Sequence, residues 1–192
     1  MFVKICGITN KEDALAAVDA GARALGFIFY PKSPRYVAPE SLSTWLSDVP
    51  AEIWKVGVFV DEAPETIEQI CRQTGLDIAQ LHGQETPDRH PRGLRVWKAI
   101  RVAADTNRIA DYPAEALLLD GPGSGQTFDW SLTATVTKPV ILAGGLTPEN
   151  VQAAVEQTRP WGVDTASGVE ASPGRKDHAR MKRFIQAALI NS

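Results

Sequence analysis

A lone cysteine stands where a short apolar strand would end and a turn would begin. Cys6 closes the segment "FVKIC" and is followed directly by Gly7. Along an extended strand Cys6 shares one face with Phe2 and Lys4, so the Lys4 ammonium is a neighbour that favours a thiolate. A thiolate can act as a nucleophile or as a base, but a lone cysteine in an apolar run is more often inert packing. The residues alone leave both interpretations open.

A carboxylate follows another apolar run. Asp120 comes directly after "ALLL", and a carboxyl group half buried at the exit of a strand is suited to act as a general acid. The alternative is an aspartate that caps or begins a loop. The next segment, "GPGSGQTFDW", is rich in glycine and suits either a mobile lid or plain flexibility. It lacks the G-x-G-x-x-G spacing of a dinucleotide site.

Two glycine-bearing segments late in the chain are suited to hold an anion. "LAGGLTPEN" contains Gly144 and Gly145, and "DTASGVEASPG" contains Ser167 and Gly168. Glycine lets the backbone approach an anion closely, and N–H groups at helix starts donate hydrogen bonds to it. Each pair taken singly is an ordinary tight turn. Taken together, the two segments favour a phosphate site.

The remaining candidates are charged or titratable side chains near strand ends. Arg35, in "YPKSPRY", has a guanidinium that can bind a carboxylate through two hydrogen bonds, although a solvated loop charge explains it equally. His82 can serve as an acid or base, while a structural hydrogen bond is its commoner role. Together with Lys4 and Asp164, His82 is kept as a supporting candidate. The histidines show no spacing typical of a metal site, so no metal is expected.

Repeated strand and helix units must position these residues. Short apolar runs recur along the chain, each followed by a polar stretch with helix-start residues, and this alternation is typical of an α/β fold. Because the runs are apolar on both faces, they indicate parallel strands covered on both sides. The predicted strands span residues 2–6, 24–29, 54–60, 78–81, 96–100, 116–119, 140–143 and 162–165.

Eight such units fit one closed (β/α)₈ TIM barrel of parallel strands, formed by residues 1–192 as a single domain. An open doubly wound sheet is the alternative. A usual barrel has about 250 residues, so this one is expected to be compact, with short loops and several short helices. The active site of such a barrel lies at the C-terminal ends of its strands.

Local signals predict where individual helices begin. Asn10 is expected to cap a helix that runs to Ala20, and Thr147 to cap another that has Pro148 at its first position. The segment 84–92 is predicted to be the weakest helix, because it holds two prolines and little apolar periodicity.

Composition excludes several classes of function. The 20 Lys+Arg and 23 Asp+Glu give a formal charge of −3 and are interspersed, so no basic stripe predicts nucleic-acid binding. The two cysteines argue against a disulfide framework and fit a reducing compartment. The sequence shows no leader-like segment and no apolar run of membrane-spanning length. A cytoplasmic location without membrane partners is expected.

Longer motifs are more specific in their number and order than any single residue. Between residues 4 and 180 the chain contains "KICGIT", "GFIFYPKSPRYV", "VGVFV", "QLHGQE", "GSGQTFDW", "LAGGLTPENV" and "VDTASGVEASPGRKDHAR". In this order they resemble the phosphoribosylanthranilate isomerase family of tryptophan biosynthesis. Two departures are visible: Ala166 stands where the family commonly has serine, and the loop after Asp120 is short.

The resemblance implies an eight-stranded barrel and an aldose-ketose isomerase of the Amadori type. The implied reaction converts N-(5-phosphoribosyl)anthranilate to 1-(2-carboxyphenylamino)-1-deoxyribulose 5-phosphate by general acid-base catalysis, with no cofactor. It implies Cys6 as the general base, Asp120 as the general acid and Arg35 as the contact to the anthranilate carboxylate. The residues that it assigns to the phosphate loops are Gly144, Gly145, Ser167 and Gly168.

Alternatives remain open at this point. The histidine-pathway sugar isomerase performs the same rearrangement on a similar barrel, but that family uses aspartate where Cys6 stands. Indole-glycerol-phosphate synthase would require a catalytic lysine and glutamate set. A barrel that binds a phosphorylated ligand without catalysis belongs to another class, and a turnover assay separates it. The expected partner is a small phosphorylated substrate. A monomer or homodimer is expected, with other tryptophan-pathway enzymes as further candidate partners.

Overall fold

Eight parallel strands close into a barrel in the computed structural model, which describes residues 1–102, 112–121 and 128–190. Each strand pairs with the next along the chain, and the eighth pairs with the first. The predicted (β/α)₈ barrel is therefore confirmed, and the open sheet is excluded. The strands are β1 (Phe2–Cys6), β2 (Ala24–Ile28), β3 (Trp54–Phe59), β4 (Ile78–Leu81), β5 (Arg95–Arg101), β6 (Ala116–Asp120), β7 (Val140–Leu142) and β8 (Gly162–Thr165).

Several predicted strand ends are wrong by one residue. β5 and β6 extend to Arg101 and Asp120, which pair with each other in the ladder although neither is apolar. β2 and β7 end before Phe29 and Ala143, which are buried but lie past the last paired residue. In these strands the last buried residue and the last paired residue are therefore not the same.

Helices cover the outside of the barrel. They are α1 (Lys11–Ala20), α2 (Pro39–Ser43), α3 (Pro64–Thr74), α4 (Val151–Thr158) and α5 (His178–Leu189). Between β8 and α5 lies an antiparallel pair, β9 (Glu170–Ser172) and β10 (Arg175–Lys176). No helix in the described ranges is long and apolar enough to cross a bilayer.

The start of α1 is as predicted. The Asn10 side chain accepts a hydrogen bond from the Asp13 N–H, and the helix ends at Gly21, whose φ of 108° is left-handed.

The predicted start of α4 is wrong. This helix begins at Val151, because Thr147 and Asn150 close a separate turn before it. The Thr147 N–H donates to Asn150 Oδ1 over 2.8 Å, and the Glu149 N–H donates to Thr147 Oγ1 over 3.3 Å. Thr147 therefore caps the turn that contains Pro148 rather than the helix.

The predicted helix over 84–92 is also wrong. The link between β4 and β5 contains a single 3₁₀ turn, Pro87–Arg89. Pro87 and Pro91 lack the N–H groups that a longer helix would need.

Aromatic rings close the barrel at the N-terminal ends of its strands. The Phe2 ring centroid lies 5.2 Å from that of Trp54 and 4.8 Å from that of Trp161, and Trp97 packs beside them. Gly162 makes room for this packing, because a Cβ atom there would overlap the Phe2 ring. The described side chains therefore fill the interior at this end of the barrel.

Candidate active site

A cavity of ≈ 310 Å³ opens at the C-terminal ends of the strands, a volume sufficient for a small metabolite. Of the predicted residues, only Lys4 does not line it; Lys4 lies one layer deeper, and its side chain is fully buried. The predicted residues that line the cavity are Cys6, Arg35, His82, Asp120, Gly144, Gly145, Asp164, Ser167 and Gly168.

Strand alternation brings the inward-facing residues together. In β1, Lys4 and Cys6 point into the barrel, as their shared parity predicts. Lys4 pairs in register with Asp164 of β8, and Cys6 pairs with Gly26 of β2. A Cβ atom at Gly26 would lie 2.7 Å from Cys6 Sγ and 3.0 Å from Lys4 Nζ. The thiol and the ammonium therefore lie against the same glycine.

The charges around Cys6 oppose one another. Burial raises the pKa of the Cys6 thiol, the ammonium of Lys4 lowers it, and the Asp164 carboxylate raises it again, with a smaller lowering from Lys176. The net pKa is raised, partly because Lys4 is bound to Asp164 at 2.9 Å. Lys4 thus favours the thiolate through its own charge, but burial and the charge of Asp164 outweigh it.

Asp120 lies at the end of β6 with 26% of its side chain exposed. Its Oδ2 atom is 3.3 Å from His82 Nε2, and His82 Nδ1 is 3.1 Å from the amide nitrogen of Gln80. Which ring nitrogen of His82 donates in these two contacts depends on its tautomer. Gln80 is fully buried on the inward face of β4. Gln80 and His82 lie two positions apart along the chain at the end of β4, so their side chains share a face. This spacing is the one sequence signal for the contact between them.

The Arg35 guanidinium faces the cavity but already has a partner. Its Nε and Nη2 atoms donate to the two carboxylate oxygens of Glu170 over 2.8 and 2.7 Å. Lys176 binds Glu170 at 3.1 Å, and neither residue is among those predicted from the sequence. Both residues fall in the longest of the quoted motifs, but nothing in their spacing distinguishes them from solvated hairpin charges.

The two glycine segments pack against each other at the cavity wall. Gly144 and Gly145 have left-handed φ values of 83° and 66°. A Cβ atom at Gly168 would overlap the carbonyl oxygen of Leu146, to which Thr165 Oγ1 donates over 2.9 Å. The left-handed backbone favours glycine at positions 144 and 145, and close backbone approach requires it at 168. Together these segments offer a backbone surface suited to a phosphate group.

Most of the segment predicted to form a lid after Asp120 lies outside the described residues, because residues 122–127 are not described. Within the described part of the chain, no group of three or more His, Cys, Asp or Glu side chains is arranged to hold a metal ion.

Comparisons with known proteins point to one family. A family model described as N-(5′-phosphoribosyl)anthranilate (PRA) isomerase matches residues 3–187. The N-(5′-phosphoribosyl)anthranilate isomerase of Solibacter usitatus is 50% identical, over 98% of this chain and 97% of its own.

Solved structures agree with that match. One contains mutually generated monomers of the dimeric phosphoribosylanthranilate isomerase of Thermotoga maritima; it has a TM-score of 0.88 and 43% identity, and the match covers 98% of each chain. Another is a phosphoribosyl anthranilate isomerase in complex with reduced 1-(o-carboxyphenylamino)-1-deoxyribulose 5-phosphate. It has a TM-score of 0.87 and 41% identity over 98% of each chain.

Proposed function

The chain belongs to the N-(5′-phosphoribosyl)anthranilate isomerase family, and from this premise we propose which of its residues carry out the reaction. It catalyses the Amadori rearrangement of N-(5-phosphoribosyl)anthranilate to 1-(2-carboxyphenylamino)-1-deoxyribulose 5-phosphate in tryptophan biosynthesis. The observation that carries the proposed roles is that a carboxyl group and a thiol, Asp120 and Cys6, line one cavity at the mouth of the barrel.

Asp120 is the proposed general acid. In its protonated form it gives a proton to the ring oxygen of the furanose, the bond from that oxygen to C1 breaks, and the substrate nitrogen supplies the electron pair that forms a Schiff base. The hydrogen bond between His82 Nε2 and Asp120 Oδ2 supports this role, because it orients the carboxyl group.

Cys6 is the proposed general base. As a thiolate it removes the proton on C2 and becomes a thiol. The electron pair of the C2–H bond then forms the C1=C2 double bond of the enolamine. The ketone results when the C2 hydroxyl loses its proton and C1 gains one. Burial supports this role, because the thiolate formed in a buried site is a strong base. The substrate nitrogen supplies electrons when the ring opens and accepts them back when C2 loses its proton, so no cofactor or metal is required.

The remaining predicted residues bind the two anionic ends of the substrate. Arg35 is the proposed contact to the anthranilate carboxylate, since it is a cavity-lining guanidinium. The proposed phosphate contacts are the backbone and hydroxyl groups of Gly144, Gly145, Ser167 and Gly168. Lys4 and Asp164 support the site by setting the charge next to Cys6.

These roles are tested by measuring the turnover of freshly made phosphoribosylanthranilate, with its fluorescence as the readout. Cys6→Ala and Asp120→Asn should each lower kcat by about 10²–10⁴-fold with KM little changed. The matched control is Cys71→Ala, because Cys71 is the other buried cysteine and lies on α3; it should keep kcat. Near-normal kcat in Cys6→Ala would remove the base assignment. The histidine-pathway substrate, assayed in parallel, tests the alternative isomerase.

We also propose that the protein is a monomer or homodimer in the cytoplasm. It acts on a phosphorylated small molecule, and other tryptophan-pathway enzymes are candidate partners. The dimeric form named for the Thermotoga maritima relative supports the homodimer.

A further inference from the structure

A buried carboxylate holds the guanidinium that faces the cavity. Arg35 Nε donates to Glu170 Oε1 over 2.8 Å, and Nη2 donates to Oε2 over 2.7 Å. Only 5% of the Glu170 side chain is exposed. Two parallel hydrogen bonds of this kind fix both the position and the plane of a guanidinium. The contact joins residues that are 135 positions apart in the chain.

Glu170 is itself fixed to the barrel. Lys176 Nζ donates to Glu170 Oε1 over 3.1 Å, and it also donates to the carbonyl oxygens of Cys6 and Ala166 over 2.7 and 3.1 Å. The Gly174 N–H adds a hydrogen bond to Glu170 Oε1. The carboxylate is therefore attached through Lys176 to the ends of β1 and β8, which are separate in the chain from the loop that carries Arg35.

The stem of Arg35 also has little freedom. A Cβ atom at Gly7 would lie 2.7 Å from Arg35 Cδ, so the arginine crosses directly over the turn that follows Cys6. Glu170 takes the N–H of Nε and one N–H of Nη2, so the two N–H groups of Nη1 and the second N–H of Nη2 are the donors that can turn to an incoming carboxylate.

We propose that Glu170 is a positioning residue for substrate recognition: it binds the Nε and Nη2 edge of Arg35 and thereby presents the opposite edge, formed by Nη1 and the second N–H of Nη2, to the carboxylate of the substrate. This inference rests on the proposed role of Arg35. An arginine that is ordered before the substrate arrives loses less conformational freedom on binding. Glu170 does not cancel the attraction, because the cluster of Arg35, Lys176 and Glu170 keeps one net positive charge.

A double-mutant cycle tests the proposal through KM for phosphoribosylanthranilate. Arg35→Ala and Glu170→Ala should each raise KM by about 10-fold, with kcat changed much less, because binding is lost and the chemical groups remain. In the double variant, KM should be no higher than in Arg35→Ala, since Glu170 acts through Arg35. A residue that only stabilised the fold would raise KM equally in both backgrounds.

The chain offers a matched control pair. Arg95 and Glu115 make the same two-bonded contact, at 2.8 and 2.6 Å, on the exposed surface away from the cavity. Glu115→Ala should leave KM unchanged. Glu170→Gln keeps the shape of the side chain and only one acceptor oxygen, so it should give an intermediate KM and serves in the cycle if Glu170→Ala does not fold.

The outcomes are distinguishable. If Arg35→Ala raises KM and Glu170→Ala leaves it unchanged or lowers it, the inference is overturned and the role of Arg35 stands. An additive rise in the double variant overturns it as well. If Arg35→Ala leaves KM unchanged, the proposed carboxylate contact fails, and the inference fails with it.

Discussion

At the scale of single residues, the chemistry depends on how opposing charges are balanced around one thiol. Cys6 is buried beside the Lys4 ammonium and the Asp164 carboxylate, which are bound to each other at 2.9 Å. Lys4 favours the thiolate and Asp164 disfavours it. Burial raises the pKa of Cys6 most, and the two charges of this pair act on that pKa in opposite directions.

Removing the negative charge of Asp164 should make Cys6 more acidic. Asp164→Asn keeps a side-chain oxygen for Lys4 but removes the carboxylate that raises the pKa of Cys6. Because the thiolate is the proposed base, kcat/KM rises with pH through that pKa, and the ascending limb of the pH profile should move to lower pH in this variant. Asp77→Asn serves as the control, because Asp77 binds the Lys55 N–H at an exposed position outside the site. A limb that stays in place or moves upward would contradict the charge balance.

The sequence reveals some of these residues and hides others for a physical reason. Cys6 and Asp120 each follow an apolar run, so the local pattern alone places them at strand ends. Glu170 and Lys176 contact groups that are 135 and 170 positions away. No local pattern encodes such a contact, and both residues resemble ordinary hairpin charges.

At the scale of elements, the register of β1 against β2 makes the space in which the base lies. Gly26 is opposite Cys6, and the missing side chain accommodates both the thiol and the Lys4 ammonium. Side chains of β1 therefore occupy the space beside Gly26, and β2 contributes only backbone there.

Adding one methyl group at Gly26 should disturb the base directly. In Gly26→Ala the Cβ atom would lie 2.7 Å from Cys6 Sγ and 3.1 Å from the backbone Cα of Cys6, which has little room to shift. We expect a loss of about 1–3 kcal/mol in the free energy of unfolding from overpacking, and a fall in kcat of at least about 10-fold because the base is misplaced. Chemical denaturation and turnover measure the two effects.

A variant at a second glycine distinguishes the effect of crowding on stability from its effect on kcat. A Cβ atom at Gly57 of β3 would crowd Phe59 and Leu76 at 2.8 and 2.9 Å, outside the barrel interior. Gly57→Ala should therefore lose stability to a similar extent but keep kcat. Equal kcat in the two variants would show that the position of Cys6 tolerates the change.

Elements were predictable to the extent that their signals are local. The α1 helix carries its own cap at Asn10 and its own stop at Gly21, so its bounds follow from the sequence. The α4 helix does not, because Thr147 and Asn150 bind each other in a preceding turn. The sequence contains the same capping residue types in both cases, and only the geometry distinguishes them.

At the scale of the whole molecule, the barrel depends on bringing the two ends of the chain together. The eight apolar runs predict the strand number, and hence the fold, but not which contacts join the last strand and helix to the first. The structure shows that Asp13 on α1 does so: its carboxylate accepts from the Lys176 N–H at 3.0 Å and from His178 Nε2 at 2.8 Å. The same contact holds the hairpin that carries Glu170.

Acid should weaken this closure through Asp13. Burial acts to raise the pKa of Asp13, but the hydrogen bonds from Lys176, His178 and Asn10 outweigh it, and the net pKa is lowered. A lowered pKa in the folded state means that the ionised carboxylate stabilises the fold at neutral pH and that this contribution is lost as pH falls below about 4. Asp13→Asn should lower the free energy of unfolding at neutral pH by about 1–3 kcal/mol, and its difference from the parent chain should shrink in acid. Asp19→Asn, on the exposed face of the same helix, should show no such convergence. A difference for Asp13→Asn that stays constant down to about pH 2 would mean that the charge of Asp13 does not join the two ends of the chain.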